Sequence, residues 1–277
     1  MTGVAQAFVP GHITGFFTTH RDADPTKTGS QGGGVCLSDG VTVTVEPAAE
    51  PQVLLNDEPL DIGAVTRVLD TLQVNATVRG ETPLPLGSGF GVSGAMALGT
   101  AFAANAAFDR QLSANELTTI AHGAEVQAGT GLGDVVAQAR GGVPIRLEPG
   151  GPQHNYLDGI PATARIEYHV LGGLSTDDVL GGDTTDITAA GKQALSQVVK
   201  EPTLPSFMQA SRSFSRESGL LTDEVQSVIS DVAQADGDAA MAMLGETIFA
   251  LGTGLSDAGY DPRVCEVHHP GAMMTQP

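Results

Sequence analysis

Pro85-Leu-Gly-Ser-Gly-Phe-Gly-Val-Ser-Gly-Ala95 stands between an extended Pro83-Leu84 entry and a long run of small apolar residues that reaches Phe108. Gly87, Gly89 and Gly91 recur at alternate positions, and the spacing predicts a helix starting immediately behind them. A loop of small residues in that place aims consecutive backbone N–H groups, and the positive end of the helix dipole, at whatever lies in front. Phosphate is the natural guest. The loop is not a Walker loop, which needs Gly-Lys-Ser/Thr, because no lysine lies between Lys27 and Lys192. It is also a poor dinucleotide fingerprint, since its spacing is G-x-G-x-G and no β-branched strand precedes it.

Outward from this loop the chain reads as mixed helix and strand. Ala7 to Phe17 is strand-like but interrupted by Pro10-Gly11, and a polar glycine-rich loop covers Thr18 to Gly34. Val35–Leu37 and Val41–Val45 read as strands joined by a Ser38-Asp39-Gly40 turn. Ala64–Leu72 is a short helix and Gln73–Arg79 a strand. Ser113-Ala-Asn-Glu116 is a capping box, and Gly129 fits the stop of that helix. A third helix begins at Gly131-Leu-Gly-Asp134 and ends at Gly141-Gly142, with a strand over Val143–Leu147. The breaker cluster Pro149-Gly-Gly-Pro152 sets an expected division into residues 1–158 and 159–277. Beyond it the pattern predicts a strand at Thr163–Val170 and helices at Asp186–Lys200, Ser206–Ser218, Thr222–Ala235 and Ala239–Ala250. A final strand is expected at Cys265–His269. The fold class is α+β in two domains.

Composition limits what such a protein can bind. Its 277 residues suffice for two modest cores, and 13 basic against 32 acidic residues give a net charge of −19. Nucleic acid and membrane surfaces need clustered Lys/Arg, so neither is an expected partner. With three lysines, no Trp and 4% aromatic residues, the surface suits a cytoplasm crowded with salt. Cys36 and Cys265 are too far apart for a zinc knuckle or redox pair and read as buried thiols. Met1-Thr-Gly-Val shows no basic-then-apolar leader. The apolar stretch Leu84 to Phe108 carries Ser88, Ser93, Thr100 and Asn105. That stretch is expected as a buried helix of a cytoplasmic protein.

The pattern P-x-G-x-G-x-G-x-S-x-A resembles the second motif of the GHMP small-molecule kinases. Phe8-Val-Pro-Gly-His12 resembles their N-terminal A-P-G-[KR] motif, and Gly131-Leu-Gly-Asp134 with Gly141-Gly142 resembles their G-x-x-D stretch. Within that superfamily, Pro10-Gly-His-Ile-Thr-Gly-Phe-Phe17, Gly29-Ser-Gln-Gly-Gly-Gly34 and Gly131-Leu-Gly-Asp-Val-Val136 are most similar to archaeal pantoate kinases. An archaeal source, and a halophilic one, fits the acidic composition. His12 stands where many members carry Lys or Arg. The third, C-terminal motif is represented either by Gly252-Thr-Gly-Leu-Ser-Asp-Ala-Gly259 or by His268-His-Pro-Gly-Ala272.

The resemblance implies a two-domain GHMP kinase fold, with an N-terminal domain like ribosomal protein S5 domain 2 and a ferredoxin-like C-terminal domain. It implies ATP and Mg²⁺, and transfer of phosphate to the primary hydroxyl of pantoate on the way to coenzyme A. Pro85, Gly87, Ser88, Gly89, Phe90, Gly91, Val92 and Ser93 would hold the nucleotide; Ser93 and Glu125 would hold the metal. Asp134 would accept or orient the acceptor hydroxyl, and Ser30, His122 and Arg146 would hold the acceptor. Each residue also has a plain structural use: Ser93 as packing, Glu125 as a solvated helix charge, Asp134 as an N-cap, Arg146 in a surface ion pair. Other readings are a kinase of homoserine or mevalonate, and a regulator that binds nucleotide without turnover. Partners are the two small substrates, with a homodimer left open.

Overall fold

A computed structural model describes residues 3–173 and 182–276. The first layer is an eight-stranded sheet, ordered β12-β1-β2-β5-β3-β4 with β6 and β7 paired beside β2. Its spine is β1 (Ala5–Phe17) antiparallel to β2 (Gly32–Pro47). Two sequence expectations change here. Pro10-Gly11 does not interrupt β1, because the missing proline N–H falls at a bulge where Pro10 faces Gly40 and Gly11 faces Leu37. Ser38-Asp39 are therefore looped out of one continuous strand, and they do not join two strands as a hairpin turn. The bulge has a purpose: Asp39 accepts from the Tyr168 hydroxyl (2.8 Å) and Ser38 Oγ from the Glu266 amide (3.0 Å), so it docks the second sheet.

β3 (Gln52–Leu55), β4 (Glu58–Pro59) and β5 (Ala76–Glu81) complete this side. The β3–β4 hairpin escaped the sequence reading; its turn residues Asn56 and Asp57 both take positive φ, which these two side chains tolerate. β3 and β5 are parallel neighbours, with α1 (Gly63–Leu72) in the crossover between them. α2 (Val92–Ala107) lies on β1 and β2 between α1 and α3 (Ala114–Ala128). It is apolar on nearly all sides because it is buried on nearly all sides. That explains its span-like composition, and among the described residues no helix is long and apolar enough to cross a membrane. The capping box at Ser113 and Glu116, and the left-handed C-cap at Gly129, form as read. α4 (Asp134–Arg140) and β6 (Val143–Glu148) follow.

The expected division between residues 158 and 159 falls inside β7 (Tyr156–Ile160), which pairs with β6. The chain passes to the second sheet through residues 161–164, and β12 (Met273–Gln276) returns to pair with β1. The second sheet is wholly antiparallel, in the order β11-β8-β10-β9, from β8 (Arg165–Gly173), β9 (Asp238–Ala242), β10 (Gly245–Leu251) and β11 (Arg263–Glu266). This is a ferredoxin-like order. α5 (Thr185–Lys200), α6 (Leu204–Glu217) and α7 (Asp223–Gln234) form as expected, and α8 (Gly254–Asp257) is one turn. The helix read over Ala239–Ala250 is the β9–β10 hairpin. Its alanine- and methionine-rich strand is buried on both faces, so it shows no alternation by which to recognise it.

Close approach of α2 to the sheet rests on Gly99. A Cβ there would lie 2.5 Å from Val43 Cγ2 and 2.8 Å from Val43 Cβ. Helix propensity alone favours Gly99→Ala by about 1 kcal/mol. Packing should prevail, since overfilling a dense core costs about 1–3 kcal/mol. Thermal unfolding should therefore show Gly99→Ala melting several degrees below the parent chain.

Candidate active site

The glycine-rich loop and the start of α2 form one wall of a cavity of about 300 Å³. Gly87, Gly89 and Gly91 have φ of +76°, +84° and +62°, a region that other residues enter at a cost. Gly91 is the N-cap of α2, with no side-chain cap and no acidic residue in the first turn, so the first amides of the helix are left for a ligand. The loop is tied to β1 by the His12 amide donating to Phe90 O (2.9 Å). Gly87, Gly89, Phe90, Gly91, Val92 and Ser93 line the cavity. Pro85 and Ser88 do not. Ser88 is turned to the second sheet, its carbonyl accepting from Thr247 Oγ1 (2.9 Å), and Pro85 lies by Tyr168 and His169.

Several cavity residues had no sequence signal. Asp61, Ile62 and Gly63 open α1 without a side-chain cap, and Met243 and Leu244 come from the turn between β9 and β10. Neither candidate for the third motif, Gly252–Gly259 or His268–Ala272, lines the cavity. Thr130, just past the helix stop at Gly129, was within reach of a closer reading.

Ser93 Oγ donates to Glu125 Oε1 (2.6 Å), and Thr130 Oγ1 donates to the same oxygen (2.9 Å). Glu125 is buried, so it is not the solvated charge of the alternative reading, and burial pushes its carboxyl up to about 7. Among the described residues no three His, Cys, Asp or Glu side chains converge, so there is no all-protein metal cage. One carboxylate flanked by hydroxyls, beside an open helix N-terminus, suits Mg²⁺, which keeps waters and phosphate oxygens in its shell. The donor set therefore fits the expected ion.

Asp134 is the first residue of α4, but Gly133 is the N-cap, and the carboxylate is not used for capping. It accepts from His12 Nδ1 at 2.7 Å. His12 is fully buried, and burial outweighs the adjacent carboxylate to keep the ring neutral, with Nδ1 protonated and Nε2 left without a partner. Burial by itself would raise the Asp134 carboxyl; the bond from His12, with the charge of Arg146, outweighs it and holds that carboxyl below the ordinary range. Arg146 is only 1% exposed, and its Nε and Nη1 have no partner. The surface ion pair is thus excluded. Buried, unpaired guanidinium donors are costly and mark a place prepared for an anion.

Arg146 and Ser30 meet across Gly133, where a Cβ would lie 2.4 Å from Ser30 Oγ and 2.7 Å from Arg146 Nε. Phe17, Leu132 and Leu244 complete this smaller compartment, which shares Thr14, Asp134 and Leu244 with the large cavity. His122 is not brought to either. Its Nε2 donates to Thr28 O (2.8 Å), and it lies buried under the loop that carries Ser30. One helical turn separates it from Glu125, and loop 18–31 covers that turn. Ser93, Glu125 and Asp134 thus border one cavity, with Ser30 and Arg146 beside it.

Comparison with known proteins places the chain in a family. Residues 62–142 match the family of GHMP kinases N terminal domain. The chain is 36% identical over 255 residues to a pantoate kinase of Methanospirillum hungatei, covering 89% of this chain and 86% of that one. It is 32% identical over 275 residues to a pantoate kinase of Methanocaldococcus jannaschii, covering 95% of this chain and all of the other. A solved structure described as a phosphotransferase related to the CoA biosynthesis pathway superposes with a TM-score of 0.87 at 31% identity, covering 99% of both chains. The chain belongs to the pantoate kinase family of the GHMP kinases.

Proposed function

We propose that this protein transfers the γ-phosphate of ATP to the primary hydroxyl of pantoate. The observation that carries the reading is Arg146: a buried guanidinium with two unsatisfied nitrogens, in a small compartment that shares Thr14, Asp134 and Leu244 with the cavity walled by the glycine-rich loop. A carboxylate on Arg146 and Ser30 would leave the far hydroxyl of a short hydroxy acid near Asp134. Homoserine fits less well, because its ammonium would find no carboxylate in that compartment other than Asp134. The acidic composition supports a saline cytoplasm, so assays belong in high-KCl buffer.

The amides of the loop and of the first turn of α2 bind and orient the phosphates. Ser93 and Glu125, with Thr130 behind them, would hold Mg²⁺, which when bound neutralises charge on the phosphates. Asp134, kept ionised, accepts the hydrogen bond of the acceptor hydroxyl. It takes that proton as the oxygen bonds to the γ-phosphorus and ADP departs. Phosphoryl transfer needs little prior deprotonation, so a carboxylate of low basicity serves mainly to orient the hydroxyl. His12, lacking any path to solvent, holds Asp134 in place and does not shuttle protons. His122 acts through Thr28 on the position of Ser30.

Asp134→Asn keeps the shape of the side chain but removes the base; turnover should fall by roughly 10²–10⁴-fold while ATP affinity measured by calorimetry persists. Near-parental turnover would remove Asp134 from this role.

Glu125→Gln should raise the Mg²⁺ concentration needed for half-maximal activity. The same variant has a pH signature in metal-free buffer. Because the folded state holds a proton on Glu125 up to about 7, above its ordinary value of 4.5, stability declines as pH rises through that window and levels off beyond it. The glutamine variant lacks this decline, so by pH 8 it should gain on the parent by a few kcal/mol in denaturant titrations. Equal slopes would mean that Glu125 titrates normally.

The acceptor assignment is tested by Arg146→Lys and Arg146→Met with pantoate, homoserine and mevalonate as acceptors. Pantoate KM should rise in that order, by 30-fold or more in Arg146→Met, since truncating one side of a desolvated charged pair costs about 2–5 kcal/mol. ATP KM should hardly move. A pantoate KM within about twofold of the parent, against the ~0–1 kcal/mol of a solvated pair, would place the carboxylate elsewhere.

A further inference from the structure

Leu244 stands out on conformation and on position. Its φ is +65°, in the left-handed region where a leucine is strained and a glycine or asparagine is not. Strain of that kind persists only where the surroundings impose it, and here they do. The Met243 amide donates to Thr14 O (2.9 Å) on β1. A Cβ on Gly89 would lie 2.9 Å from Met243 O, and one on Gly245 would lie 2.3 Å from the Ser88 backbone. Thr247 Oγ1 holds Ser88 O from the next strand residues. The turn between β9 and β10 is therefore clamped between β1 and the glycine-rich loop, and its one strained side chain is half-buried between the two compartments, lining both.

On the acceptor side, Leu244 borders a recess of about 20 Å³ with a polar end at Arg146 and Ser30, large enough for a carboxylate alone, and the same side chain lines the 300 Å³ cavity beside Thr14 and Asp134, where the rest of an acceptor would lie. Resting on the acceptor assignment above, we infer that Leu244 determines acceptor specificity. It supplies the apolar wall against which the branched body of the acceptor packs, between a carboxylate on Arg146 and a hydroxyl at Asp134. Pantoate carries two methyl groups on the carbon between its functional ends. An acceptor lacking them leaves that wall uncovered and is held less firmly. A left-handed leucine costs backbone stability that glycine or asparagine would not, and its side chain packs against the core at the border of both compartments.

The test compares kcat/KM for pantoate with that for 2,4-dihydroxybutanoate, the same hydroxy acid without the methyl groups. The parent enzyme should prefer pantoate, and Leu244→Gly and Leu244→Asn, both suited to the positive φ, should reduce that preference about tenfold. They should do so through pantoate KM, with a melting temperature no lower than that of the parent. Leu244→Met, which retains an apolar side chain, should keep most of the preference. A preference ratio within twofold of the parent in both Leu244→Gly and Leu244→Asn overturns the role of Leu244. So does a loss that appears only together with a lowered melting temperature. A parent enzyme that phosphorylates neither acid overturns the acceptor assignment itself, and this inference with it.

Discussion

β1 is buried along nearly its whole length, and each part of the site hangs from it. One face carries α2, which approaches closely because Gly99 meets Val43 without a side chain. Toward its C-terminal end α6 packs just as closely, with Gly15 under Ser211 and Phe207, and Phe16 and Phe17 set against Phe207 and Phe214. The same strand supplies His12 to Asp134, an amide to the glycine-rich loop and a carbonyl to the β9–β10 turn. A single rigid strand thus fixes the glycine-rich loop, the Asp134 carboxylate and the lining from the second sheet relative to one another. Precision of that kind is required when catalysis is mostly positioning.

The energetics of the site run against the stability of the fold. Glu125 is desolvated, Arg146 is buried without partners for two nitrogens, His12 keeps an orphan Nε2, and Leu244 is strained. Each of these is unfavourable in the free protein; Glu125, Arg146 and Leu244 border the two compartments, where a ligand group would satisfy them or pack on them, whereas His12 lines neither. In a chain of net charge −19, a fully buried cation beside a carboxylate is a specific local exception to the general field. Binding of anions here depends on such local groups and on oriented amides, since the overall charge opposes it.

Burial on both faces erased the periodicity of β9. Ala239–Ala250 looked helical because alanine and methionine favour helices and no alternation opposed that choice; pairing with β8 overrode propensity. Ser38-Asp39-Gly40 has turn residues, yet the strand continues through them because the bulge lets Asp39 and Ser38 bond the second sheet. His122 and Glu125 share a helix face, but one turn of displacement puts one under a loop and the other in the cavity.

The sequence by itself determined the glycine-rich loop and the helix behind it, the capping box and stop of α3, and the singling out of Ser93, Glu125 and Asp134, which line one cavity. These depend on local chemistry: glycine where φ is positive, small residues where a backbone must come close, and carboxylates in a glycine-rich setting. Tertiary structure alone decided that Arg146 is buried with two unpartnered nitrogens and not held in a surface ion pair. It also decided that His12 holds Asp134 and that Met243 and Leu244 close the cavity. Those facts arise from contacts across 100 or more residues of chain, such as the 122 between His12 and Asp134, and no local pattern encodes them.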